Sequence, residues 1–281
     1  GDYLGAYAKE FSNAPIAEGP AKLGEPQLSP AQESALMCEK QIHDQLVDTN
    51  AVTLIRRAIF EAAMLGTGVV KGPLNTYKTV HRWQRDESGE RAYSPYEKVV
   101  PHIQHVPLWD FHPDPSATTI EDCEYIIQRH RMNRDQVRAL MNMPHFNVES
   151  INAILEKGPN YEDKYYEDTI RDDETQASYQ ENRYEILEYW GTIDSRFAQE
   201  IGMQDIKYDD NDNVSSVQIN AWICNGKVLR CVLNPLTPVR LPFFVIPYET
   251  NPYQIWGVGV AENMEDSQLL MNGHVRMAID N

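Results

Sequence analysis

Apolar residues recur every three or four positions near both ends of this chain and every second position through its middle, a pattern that predicts helices flanking a sheet. Ser29-Pro30-Ala31-Gln32 predicts a helix start, with Ser29 as N-cap, Pro30 in the first turn and Gln32 closing a capping box. Ala31, Ala35, Cys38, Ile42 and Leu46 form its apolar stripe. Asn50 is placed to cap a second helix whose inner face is Val52, Ile55, Ile59, Ala62 and Gly66, with Ala58 and Ala63 alongside. Gly66 and Gly68 end it. Before these helices, Pro15, Gly19, Pro20, Gly24 and Pro26 break any regular pattern, which predicts an extended arm or linker over residues 1–28.

From Val69 the period shifts to two, predicting strands near 69–84 and 96–108 with a turn at Asp86 to Gly89. Phe111-His112-Pro113-Asp114-Pro115 reads as a turn, and Cys123 to Met132 as a strand. Short helices are predicted from Arg134 to Met141, capped by Asn133, and from Val148 to Glu156. Glu162 to Asp173 is acidic and aromatic, a solvated excursion. Strand patterning resumes at Tyr184 to Asp194, Gln204 to Tyr208, Val214 to Cys224, Lys227 to Asn234 and Phe243 to Glu249.

The final stretch returns to helical spacing. Val260, Met264, Met271, Val275 and Ala278 fall on one stripe, Glu262, Glu265 and Asp266 occupy the first turns, and Arg276 lies near the end, as the helix dipole favours. No Gly or Pro follows Ile279, so the helix is expected to continue beyond the last residue. The fold class is α+β: N-terminal helices, a central, mostly antiparallel β region with short helices, and a long C-terminal helix.

Charge and composition narrow the function. A net charge of −17 argues against a protein that grips nucleic acid through its phosphates, while leaving room for one that handles a duplex without holding it. No stretch approaches the ~20 consecutive apolar residues of a membrane span, and no basic start followed by an apolar run points to secretion. Cys38, Cys123, Cys224 and Cys231 show no ligand spacing. Asn225-Gly226 predicts a tight hairpin pairing position 224 with 227 and 220 with 231, which sets the last two sulfurs roughly 13 Å apart along the ladder, beyond disulfide reach. Free thiols in a reducing compartment are expected.

No catalytic constellation emerges, and no cofactor or metal is expected. His102 and His105, three apart on a strand, face opposite sides and cannot share a metal without a bulge. The run Asp209 to Asn213 has calcium-loop spacing but Val214 where the loop needs Gly and Asn220 where it needs Glu, so a polar hairpin tip fits better. The glycines of Gly66 to Gly72 follow a helix and precede a strand, the reverse of a phosphate loop.

Taken in order, several segments resemble the portal proteins of tailed double-stranded DNA bacteriophages, the short-tailed type above all. They are Ala58 to Lys71, running into Gly66-Thr67-Gly68-Val69-Val70; Val106 to Ala117 with its Asp114-Pro115 turn; Glu121 to Arg131, then Met132 to Val137; Tyr184 to Trp190; and Pro242 to Pro247 with Gly257, Gly259, Gln268 and Asn272. The resemblance implies a ring subunit, usually one of twelve, at one capsid vertex, where DNA is packaged and later ejected. It implies as partners the major capsid protein, the packaging ATPase during filling and head-completion or tail adaptor proteins afterwards, with duplex DNA passing non-specifically and no membrane. The virion and, during assembly, the host cytoplasm are the implied locations. Residues 29–68 become a helical segment, 69–249 a wing and 250–281 the start of a stem, with the clip, second stem helix, tunnel loop and crown expected outside the chain. Subunit contacts or channel lining are expected on Trp256, Gly257, Gly259, Met264, Gln268, Met271 and Asn272, and contacts also on the helix Ala31 to Leu46. The competing expectation is that Met264 and Met271 pack within their own chain. Two other functions are carried: a metal-dependent hydrolase using His102, His105, Asp110 and His112, and another head or tail adaptor.

Overall fold

The computed structural model describes residues 29–85, 91–162, 182–200, 216–236 and 239–280. The expected arm at 1–28, the turn from Asp86, the acidic excursion after Glu162, the strand Gln204 to Tyr208 and the Asp209 to Asn213 tip lie outside the described residues. The chain divides into two units, Gly1–Asp44 and Gln45–Asn281, and helix α1 (Pro30–Asp48) runs across the division. Its start is the expected capping box: Ser29 N–H donates to Gln32 Oε1 at 2.9 Å, and Gln32 N–H to Ser29 Oγ at 3.4 Å. No residue of α1 is buried.

Helix α2 (Ala51–Leu65) corrects two expectations. Asn50 adopts the left-handed conformation, φ 54°, and its side chain accepts from Thr53 Oγ1 at 2.8 Å without capping a backbone N–H. The buried face is Ala51, Ala58 and Ala62, while Val52, Ile55 and Ile59 stay exposed. The cause is backbone proximity, since a Cβ on Gly68 would overlap the Ala58 carbonyl, so only small side chains fit between helix and strand. Gly66 ends α2 with φ 89°, a conformation glycine adopts without strain.

Beyond Gly66 come β1 (Thr67–Val80), β2 (Trp83–Arg85), β3 (Arg91–Tyr93) and β4 (Tyr96–Val106), followed by a 3₁₀ turn, Leu108–Asp110. Phe111–Pro113, expected as a turn, is a short strand, β5, that pairs with Gln128 to Ile126. Then follow β6 (Tyr125–Met132), α3 (Arg134–Ala139), α4 (Val148–Lys157), β7 (Tyr184–Asp194), α5 (Ser195–Glu200), β8 (Ser216–Cys224), β9 (Lys227–Leu233), β10 (Phe243–Pro247) and α6 (Val260–Asp280). Asn133 caps α3 in a full capping box, and Asn147 caps α4 by accepting from Ser150 N–H at 3.1 Å. Strands β5 to β9 form an antiparallel meander in chain order, and β1 lies between β10 and β4 in a three-stranded antiparallel sheet.

The β8–β9 hairpin turns on Asn225 (φ 51°) and Gly226 (φ 74°), the two left-handed residues of the expected tight turn. Cys224 pairs with Lys227 as expected, but Cys231 faces Ala221 and not Asn220. An extra residue on β9, Leu229, shifts the register between Trp222 and Ile223, and the bulge turns that leucine fully into the core. All four cysteines are free thiols.

Two apolar clusters form the core. Val69, Val106 and Phe243 of the three-stranded sheet meet Phe111, Ile126 and Trp190 in the first. In the second, Val137 and Leu140, together with Ile151 and Ile154 of α4, cover Tyr184, Ile186 and Leu229. Strict alternation along β7 puts Tyr184, Ile186, Glu188 and Trp190 on one buried face, so Glu188 falls at the seam between the clusters.

Candidate functional site

At that seam a carboxylate would be costly without partners, and Glu188 has four. Its Oε2 accepts from Lys71 Nζ at 2.5 Å and pairs with His130 Nε2 at 2.7 Å; its Oε1 accepts from Trp190 Nε1 at 2.7 Å and from Asn220 Nδ2 at 3.1 Å. Lys71 Nζ also donates to Gln128 Oε1 at 2.8 Å. Burial alone would raise the Glu188 carboxyl, but adjacent Lys71 and His130 outweigh it and hold the group at about 2. Burial pulls the Lys71 ammonium below its ordinary value, with Glu188 pulling the other way. His130 stacks on Trp222, ring centroids 5.0 Å apart. The arrangement ties β1 to β6, β7 and β8, and its lone pairs are spent on neighbours that fix register, which makes it a structural lock. Sequence reading missed it, although one signal existed: Gln128, Glu188 and Asn220 are polar residues in phase with the core positions of their strands.

A second polar tie joins the 3₁₀ turn to β6. Asp110 Oδ1 accepts from Arg129 Nε at 2.9 Å and Oδ2 from Arg131 Nη2 at 3.0 Å. Glu61 on α2 pairs with His105 Nε2 at 2.7 Å and accepts the Leu108 N–H at 3.0 Å. The residues of the hydrolase reading are thus distributed: His105 on Glu61, Asp110 between two arginines, and His102 and His112 exposed. Among the described residues no three of His, Cys, Asp or Glu converge on one point. The Asp114-Pro115 turn is closed by Asp114, whose Oδ1 accepts from both Ser116 Oγ (2.7 Å) and Ser116 N–H (2.9 Å); these bonds hold its carboxyl below the ordinary value.

The expected site residues fall into two groups. Trp256, Gly257 and Gly259 build the root of α6. Trp256 sets its ring edge-on to Phe111, centroids 6.0 Å apart, at the rim of the first core. Gly257 N–H donates to Thr67 Oγ1 at 2.8 Å, Tyr248 N–H to the Gly66 carbonyl at 2.9 Å, and Val258 N–H to the Glu249 carbonyl at 2.9 Å. A Cβ on Gly259 would lie 2.7 Å from Gly66 N and 2.9 Å from the Met64 carbonyl. The two glycine pairs, 66/68 and 257/259, are therefore one crossing where α2, β1 and the start of α6 touch through bare backbone. Asn263 Nδ2 adds a bond to Glu249 Oε2 at 2.8 Å.

Met264, Gln268, Met271 and Asn272 lie on the shaft of α6, and all four are exposed. Met264 and Met271 are 58% and 66% exposed, which answers the expectation that they pack within their own chain. No residue of this 21-residue helix is buried, and Leu269, Leu270, Val275, Met277 and Ile279 share its open surface. At 1.5 Å per residue such a helix is roughly 30 Å long. Apolar surface is thus concentrated on one face-open helix.

The fold is thus an antiparallel α+β body that carries one long, exposed, partly apolar helix. The chain belongs to the Phage SU10 portal protein family, whose model matches residues 29–281. No curated protein matches it. The family is structural, and it implies a homo-oligomeric ring in a phage capsid. Among the described residues no helix is long and apolar enough to cross a membrane.

Proposed function

We propose that this chain is one subunit of a twelve-fold portal ring at a single capsid vertex, through which double-stranded DNA is packaged and ejected. Residues 69–249 form the wing and 250–281 the start of the stem. The observation that carries this reading is α6, rooted on the glycine crossing and without one buried residue along its length. In a closed ring each copy presents two different patches to its neighbours, so a helix left bare in one chain is covered in the assembly. The net charge of −17 suits a conduit, because it denies the duplex the Lys and Arg contacts that would retain it. Around the ring we place the major capsid protein, with the packaging ATPase docking during filling and head-completion or tail adaptor proteins afterwards. Native mass measurement of the full chain tests the assignment: a closed oligomer of about twelve copies is expected, and a monomer at micromolar concentration contradicts it.

A further inference from the structure

A heterologous ring needs a second surface to receive the stripe of α6, and the fold offers one. Val52, Ile55 and Ile59, spaced i, i+3 and i+7 on α2, form an apolar row 68%, 39% and 54% exposed. It lies beside the alanine face that α2 buries against β1. Val52 and Ile59 are seven residues apart, as are Met264 and Met271 on α6, so both rows span about 10 Å at helical rise. Rows of this spacing on two helices interdigitate as ridges into grooves. Charge complements shape: Arg56, four residues after Val52 and three before Ile59, borders the α2 row, and Glu265, three residues before Gln268, borders the α6 stripe. Arg56 is exposed and makes no ion pair with a described residue, and Glu265 is equally open.

Resting on the ring reading above, we infer that the Met264–Met271 stripe of α6 in one copy docks on the Val52–Ile55–Ile59 row of α2 in the next. The occupant is a second copy because the family assembles as a homo-oligomeric ring, and because Glu265 beside the α6 stripe is opposite in charge to Arg56 beside the α2 row. Within one chain the glycine crossing holds the start of α6 at the C-terminal end of α2, against Met64 and Gly66, leaving the Val52–Ile59 row, which ends five residues before Met64, to a neighbour.

Cysteine cross-linking tests the contact in a Cys38→Ser background of the full chain. Two single variants, Ile59→Cys and Met264→Cys, are mixed, assembled and oxidised, and native mass is recorded in parallel. Joint expectations are rings and a cross-linked dimer formed only in the mixture. A charge arm accompanies them: Arg56→Glu lowers ring yield at least tenfold, and adding Glu265→Arg restores it. Rings without a mixed cross-link, and with ring yield indifferent to charge reversal, overturn this contact while leaving the portal reading intact. Failure of the unaltered chain to form rings overturns the portal reading itself, and this inference with it.

Discussion

Gly66 and Gly257 stand backbone against backbone, close enough that a Cβ on either would overlap the other's carbonyl oxygen. One residue on, Thr67 Oγ1 receives the Gly257 N–H at 2.8 Å. This contact joins residues 190 apart in sequence and sets where α6 leaves the body.

Gly66→Ala is expected to destabilise the chain sharply. At φ 89° an alanine carries about 1–3 kcal/mol of backbone strain, to which the overlap with Gly257 adds. At about 2–4 °C per kcal/mol, thermal unfolding drops by several degrees. Gly273→Ala is the control: its Cβ meets nothing within 4 Å, so it should raise helix stability by about 0.5–1 kcal/mol in the isolated chain. Circular dichroism melts of the two variants would separate them.

The Glu188 lock makes stability acid-sensitive in a defined window. Its carboxyl is held at about 2 in the folded chain against an ordinary 4.5. A depressed folded value means that the stabilisation is complete above 4.5 and is lost as pH falls from there toward 2. Glu188→Gln should flatten the fall in stability across that interval in denaturant titrations at stepped pH. Glu188→Ala should cost about 3–5 kcal/mol, because Lys71 is then left buried without its anion. An unchanged pH profile in Glu188→Gln would remove the lock from the account.

Phe111→Ala removes a ring that is 1% exposed and touches both Phe243 and Trp256. A loss of about 3–5 kcal/mol is expected from the cavity. The loss should be read in a denaturant titration, and a variant of unchanged stability would mean that Phe111 does not support the root of α6.

Thiol labelling reads burial directly. Cys38 is exposed and should react within seconds to minutes with a maleimide. Cys123 and Cys224 are buried, and burial raises both thiols to about 11, so they should react only on unfolding. Rapid labelling of either would show that its core cluster opens.

Much of the fold was legible because local chemistry sufficed. Strand β7 follows from alternation between Tyr184 and Asp194, and the starts of α1 and α3 from Ser29 with Gln32 and from Asn133 with Gln136. What failed depends on partners distant in sequence. The face of α2 was misread because bulk usually points inward, whereas Gly68 brings β1 so near that only Ala51, Ala58 and Ala62 fit. The Cys231 register slipped by one because the core draws in Leu229, a demand that the hairpin turn does not reveal. β5 and α5 are too short to show a period. At the candidate site, Gly257, Gly259, Met264 and Met271 stood out in sequence, but the convergence of Gly66 on the same crossing needs the tertiary fold.

Assembly is separable from folding on α6. Met264→Lys with Met271→Lys changes two exposed positions, so the isolated chain should keep its stability within about 0.5 kcal/mol. The same pair should abolish ring formation in sizing experiments, and rings that tolerate both lysines would place the contacts elsewhere.

The most direct test of the portal assignment is an electron-microscopy class average of the assembled full chain, viewed down its symmetry axis. A closed ring with α6 of every copy arranged around a central opening wide enough for duplex DNA is the predicted image. Solitary particles, or rings in which α6 points outward from the axis, would contradict it.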